Sequence, residues 1–167
     1  MTIAQVAPLW ERVPPSNYGG IELLVSCLTD ELMRLGYEVT LFASGDSQTL
    51  ARLVAIHPQA LPLDSNVQEY AVCEMLEKSQ TEQQAAEFGI IHSHVEIGAL
   101  PLASLVTTPS VHNLHSNFTK DNVNVYSHHQ KQAYISISHT QRQINLNYLA
   151  IVGNGILLAD YPLMPQN

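Results

Sequence analysis

The sequence predicts an α/β fold, a parallel sheet with helices on both faces. Three observations predict it. Short apolar, β-rich runs alternate with helical stretches along the whole chain. The first run leads directly into a helical face of Ile21, Leu24, Val25, Leu28, Leu32 and Leu35. The chain has 167 residues, 46% apolar and only 13% charged, which is enough for one hydrophobic core and too apolar for disorder.

Ile3 to Ala7 reads as the first strand, stopped by Pro8. Leu9 to Gly19, with Pro14, Pro15 and Asn17, reads as a loop. The helix from Gly20 closes at Gly36, a residue suited to a helix C-terminus. Glu38 to Ala43 is the second strand, with Ser44-Gly45-Asp46 as its exit, and Arg52 to Ile56 is the third. Asp64 to Phe88 is long and polar. Val67, Tyr70, Ala71, Met75 and Leu76 form a helical stripe there, which predicts one or two surface helices. Gly89 to Ser93 is the fourth strand, and Ile97 to Leu105 a short helix with Pro101 in its first turn. Ser110 to Leu114 is a weak strand, and Tyr134 to Ser138 alternates Ile with Ser as another. His139 to Leu146 reads as a short helix with Ser138 as N-cap, and Tyr148 to Val152 as the last strand. Tyr161 to Asn167 carries Pro162 and Pro165 and reads as a linker.

The formal net charge of −8 lacks the basic footprint of a nucleic-acid binder and is repelled by anionic membrane surfaces. The N-terminus has no basic region before its broken apolar stretch, so no signal peptide is expected. No run of 18 apolar residues is present, so no spanning helix is expected either. Cys27 and Cys73 lie far apart, each inside an expected helix. They read as half-buried thiols of a reducing cytoplasm, and no CxxC spacing points to a zinc or redox site.

Right-handed crossovers put every strand C-terminus on one edge of such a sheet, and ligands bind at that edge. The residues just after each strand are therefore the candidates. After the first strand, Tyr18-Gly19-Gly20-Ile21-Glu22 opens the helix, where glycines permit close approach and free N–H groups attract anions. This is neither GxGxxG nor a Walker loop, and no cofactor is called for. Seven of eight histidines fall between His92 and His139. His92 and His94 alternate on one strand face, with one expected in the core and the other lining a cleft. No Asp or third His follows in the pattern of a metallo-hydrolase, and no metal is assigned. His112-Asn113-Leu114-His115 follows the fifth strand. His128-His129 lies in a polar helical stretch and reads as solvated.

Taken in order, six segments resemble the N-terminal half of family 4 glycosyltransferases, the retaining enzymes of the GT-B fold. They are IAQVAPLWERVPPSNYGGIE, ELMRLGYEVTLFASGDS, GIIHSH, PSVHNLH, ISISHTQR and VGNGILLADYP. Gly89 and Leu157 stand where that family usually has Asp. The resemblance implies a Rossmann-like domain over residues 1–157, with 158–167 as a linker stump toward an absent C-terminal domain. It implies transfer of a sugar from a nucleotide-sugar donor to an unknown acceptor, with the acceptor held by this half. Gly19 and Gly20 would approach the donor phosphates, and His115 would hydrogen-bond the transferred sugar as the catalytic histidine. Tyr18, Glu22, His92, His94 and Ser138 would line the acceptor side. The chain alone is expected to be inactive. It is also expected to self-associate through surface that the missing half would cover. Two other readings stay open. One is a stand-alone binding module that pairs with a separate chain. The other is a metal-dependent hydrolase using His92, His94 and His115.

Overall fold

The structure, a computed structural model, describes residues 1–156. Leu157 and the expected linker over 158–167 lie outside the described residues. The elements run β1 (Thr2–Val6), α1 (Gly20–Arg34), β2 (Glu38–Ala43), β3 (Arg52–Ala55), α2 (Tyr70–Gln83), β4 (Ile90–Ser93), α3 (Leu100–Ala103), β5 (Ser110–Leu114), α4 (Asn122–His128), β6 (Ala133–Ser136) and β7 (Asn147–Ile151). Seven strands form one sheet in the order β3-β2-β1-β4-β5-β6-β7, every neighbouring pair parallel. The expected α/β parallel sheet is therefore present. Its order reverses between β1 and β4, which is where a sheet of this kind opens a crevice.

The end of α1 shows how local sequence sets the fold. Gly36 takes φ +86°, and its N–H donates to the Met33 carbonyl at 3.0 Å. The Tyr37 N–H reaches back to the Leu32 carbonyl at 3.1 Å. The two bonds form a Schellman cap, whose left-handed turn position favours glycine. The chain then enters β2 beside β1.

The two sheet faces are covered unequally. Val25 of α1 packs on Ala7, Leu41 and Ala43. Ala4, Val6, Phe42 and Ile91 point the other way, onto Ala85 and Phe88 after α2. Leu114 and Tyr134 pack with Leu100 of α3 and Tyr126 of α4 on that second face. Among the described residues α1 is thus the only long helix on its face, and it sits over β1 and β2. A groove of about 560 Å³ opens beside it, floored by His92, Asn113 and Ile135. Parallel sheets are ordinarily covered on both sides.

Two local expectations need correction. After Ser138 there is a single 3-10 turn, His139–Gln141, in place of a helix reaching Leu146, and the Ser138 side chain makes no cap bond. Gln141 is drawn inward instead. Its Oε1 accepts the Ile137 N–H at 2.8 Å, and its Nε2 donates to the Leu114 carbonyl at 3.2 Å. Helix α2 is also rotated from its expected stripe. Met75 and Leu76 are exposed, while Glu77 and Thr81 are buried. The rotation is set by contacts from a distant loop: Trp10 packs edge-on against Tyr70 and donates its indole N–H to Glu74 at 2.9 Å. A weak apolar stripe yields to such tertiary contacts.

Candidate functional site

A cleft of about 630 Å³ lies at the C-terminal edge of the strands. Tyr18, Gly19, Gly20 and Glu22 form one wall, and His94, Glu96, His115 and Ser116 the facing one. The loop after β1 and the first turn of α1 carry the first group. The exits of β4 and β5 carry the second, brought together because those strands are neighbours.

The glycine loop has different reasons for its two glycines. Gly19 has φ +154°, and a Cβ there would stand 2.7 Å from Pro15 Cβ and 3.0 Å from a Glu22 carboxylate oxygen. A Cβ on Gly20 would meet nothing within 4 Å. Gly19→Ala is therefore expected to destabilise the chain by about 1–3 kcal/mol, and Gly20→Ala to leave stability within roughly 0.5 kcal/mol. Urea denaturation checks both. Equal losses at the two sites would contradict the steric difference.

Glu22 sits in the first turn of α1, 5% exposed. Burial raises its pKa, and the Glu11 carboxylate nearby raises it further. Backbone N–H groups of Glu22 and Glu11 oppose the shift. Tyr18 is 88% exposed and faces the cleft from its rim.

On the facing wall His94 is fully buried, and its Nδ1 lies 3.1 Å from His115 Nε2. The rings stack with centroids 5.3 Å apart and planes 24° apart. Among the described residues His115 Nδ1 has no hydrogen-bond partner. Burial lowers the pKa of both rings. For His94 the charges of His92 and His115 add to the drop, while Glu96 pulls His115 back up.

Glu96 fixes the loop that bears His115. One carboxylate oxygen, Oε1, accepts the His115 N–H at 3.0 Å and the Ser116 N–H at 2.6 Å. Its own backbone takes φ +50°, a conformation that costs a non-glycine residue of order 1 kcal/mol or more. Gln141 holds the same loop from the other side through the Leu114 and Ser116 carbonyls, at 3.2 and 3.4 Å. Neither residue was a sequence candidate. Glu96 follows the HSH segment by two positions, and no local pattern marks it as a backbone acceptor for a loop 19 residues on. Trp10, Glu74 and Lys78 also line the cleft. Glu74 accepts from both Trp10 and Lys78, the latter at 3.5 Å.

Two sequence candidates fall elsewhere. His92 opens onto the groove on the α1 face, not onto the cleft. Its Nε2 lies 3.0 Å from Asn113 Oδ1, and its Nδ1 3.4 Å from Gln5 Nε2. Strand alternation predicts this, since Ile91 faces the opposite core. Ser138 is not among the cleft-lining residues. Its hydroxyl pairs with Thr140 Oγ1 at 2.8 Å, and Ile137 lines the cleft instead. The three histidines His92, His94 and His115 are spent on one another and on amides. Among the described residues no three His, Cys, Asp or Glu side chains are grouped to hold an ion.

A sequence model described as Glycosyltransferase Family 4 matches residues 18–151. The chain belongs to that family. The match begins at Tyr18, the rim of the glycine loop, and ends at the last residue of β7. Solved structures agree on the GT-B fold. MurG of Acinetobacter baumannii aligns with 99% of this chain at 10% identity and a TM-score of 0.57. AviGT4, a glycosyltransferase involved in avilamycin A biosynthesis, aligns with 97% at 20% identity and a TM-score of 0.55. A glycosyltransferase from Rickettsia africae ESF-5 aligns with 89% at 14% identity and a TM-score of 0.55. This family 4 chain spans 50%, 44% and 42% of those structures, about half of each. It corresponds to their N-terminal domain. No curated protein matches it. Among the described residues no helix is long and apolar enough to cross a membrane.

Proposed function

We propose that residues 1–157 are the acceptor-side half of a retaining glycosyltransferase, with 158–167 leading toward a second domain. The enzyme would move a sugar from a nucleotide-sugar donor to an acceptor in the cytoplasm. One observation carries this reading: the Gly19–Gly20 loop and His115, far apart in sequence, line the same cleft at the strand edge. Gly20 leaves open space for a donor phosphate to come close to the backbone. His115 supplies a neutral ring to the transferred sugar. Tyr18, Glu22 and His94 lie on the acceptor side. Burial, by raising the Glu22 pKa, moves that carboxyl toward the neutral form that a phosphate neighbour requires. Retaining transfer leaves negative charge on the departing phosphate, and fixed N–H donors in a dry cleft stabilise it. A second domain is needed to close the cleft and orient the donor.

The test is transfer of labelled sugar from a panel of UDP- and GDP-sugars. It is run on this chain alone and on this chain joined to the C-terminal half of a family 4 enzyme. The chain alone is expected to transfer nothing. The joined protein is expected to transfer with retained anomeric configuration, and His115→Ala to lower its rate about 100-fold or more. Transfer by the chain alone at about 1 per second or faster overturns the half-enzyme reading. An inverted product overturns the retaining one.

A further inference from the structure

The bond between His94 and His115 raises a question that heavy-atom positions answer indirectly: which ring holds the shared proton. A hydrogen bond between two neutral imidazoles needs one N–H and one bare nitrogen. Either His94 Nδ1–H donates to His115 Nε2, or His115 Nε2–H donates to His94 Nδ1.

The surroundings of His94 decide between them. Its ring is fully buried, and among the described residues its Nε2 has no partner. If His94 donates from Nδ1, that Nε2 is a bare lone pair. If His94 accepts at Nδ1, the neutral ring must carry its proton on Nε2, as an orphaned buried N–H. Orphaned N–H groups are the rarer and costlier kind. His92, whose ring centroid lies 4.4 Å away, offers no escape. Its Nε2–H is committed to Asn113 Oδ1, and its Nδ1 accepts from the Gln5 amide. A second proton is disfavoured on both rings, on His94 by full burial and on His115 by partial burial and the nearby His92. Glu96 is the one carboxylate acting on His115 in the other direction, and it is already engaged by two backbone N–H groups.

We infer that His94 is a positioning residue that holds His115 in its Nδ1–H form, so that the cleft meets a neutral hydrogen-bond donor at that ring. The donor would serve an oxygen lone pair on the ligand, a hydroxyl, ring or ester oxygen. The functional meaning rests on the proposal that His115 contacts the transferred sugar. The tautomer itself does not. The arrangement also resists protonation of His115. A second proton on its Nε2 would oppose the His94 Nδ1–H and drive the His94 proton onto the buried Nε2.

Long-range ¹H–¹⁵N spectra of the chain with ¹⁵N-labelled histidine test this at pH 7.5. The result expected is His115 protonated on Nδ1 with a bare Nε2. In His94→Leu, which removes the donor, His115 is expected to lose the Nδ1–H form as its majority state. In His94→Asn, whose amide N–H stands near the former Nδ1, that form is expected to persist. A native chain with His115 protonated on Nε2 overturns the inference. So does a folded His94→Leu chain whose His115 tautomer is unchanged. The native spectrum alone decides the first point, so a variant that fails to fold does not remove the test. Sugar transfer by the joined protein is measured separately. A wrong tautomer with transfer intact sinks only this inference, and a correct tautomer without transfer sinks only the enzymatic reading.

Discussion

Acidification from pH 7 to pH 4 is expected to unfold this chain, with most of the loss below pH 6.5. Four histidines are held neutral by burial. His112 is pushed down to about 4, and His92, His94 and His115 are also lowered. A base whose folded pKa is depressed binds fewer protons folded than unfolded. Stability is then complete above the unfolded value, near 6.5, and falls as pH drops toward the folded one. His112 alone accounts for a loss of roughly 3 kcal/mol by pH 4. A domain of this kind has about 5–15 kcal/mol in total. Buried carboxyls act in the opposite sense. Glu77 is raised well above its usual value, and Glu82 to about 7. They favour folding as pH falls. The fully buried groups weigh most, and His94 and His112 outnumber Glu77 there. Thermal unfolding followed by circular dichroism at pH 7, 6, 5 and 4 checks the sign. A midpoint that holds steady or rises between pH 6.5 and pH 4 defeats the prediction.

Glu77→Leu is expected to stabilise the chain by about 1–3 kcal/mol at pH 8. Glu77 is fully buried in α2, and among the described residues neither carboxyl oxygen has a partner. Burial drives the upward shift, with Glu74 adding to it and Lys78 opposing it. An acid with a raised folded pKa gives full stability below its unfolded value, near 4.5, and loses it as pH rises through the folded one. The gain from leucine is therefore larger at pH 8 than at pH 5. Urea denaturation at the two pH values measures it. A variant less stable than the parent at pH 8, or a gain independent of pH, would show that Glu77 has a partner or a role not visible in its surroundings. Glu77 is not itself a cleft-lining residue, although its neighbours Glu74 and Lys78 are. A costly buried carboxyl next to a site is the kind of feature stability selection alone does not retain.

Much of the site was legible because strand ends are local features. Pro8 and the Gly19–Gly20 pair mark the first loop, and the strand expected over Ser110 to Leu114 coincides with β5. His115 follows at once. Its partners were not legible. Glu96 binds backbone across 19 residues of chain, Gln141 across 25 to 27, and Trp10 reaches α2 across 64. None of these residues has a neighbour in sequence that betrays the contact. The stripe on α2 misled for a related reason. Periodicity reports which residues share a side, but not which side the rest of the protein covers.

The sequence by itself determined the order of the strands along the chain, the parallel sheet, the glycine loop and the family. Those rest on spacing and turn chemistry among residues close in the chain, where backbone geometry leaves few choices. Only the tertiary structure decided that His94 bonds to His115, that Glu77 is buried, and that among the described residues a groove lies open beside α1. Those outcomes depend on strand order and register, which are set by packing between segments far apart in sequence.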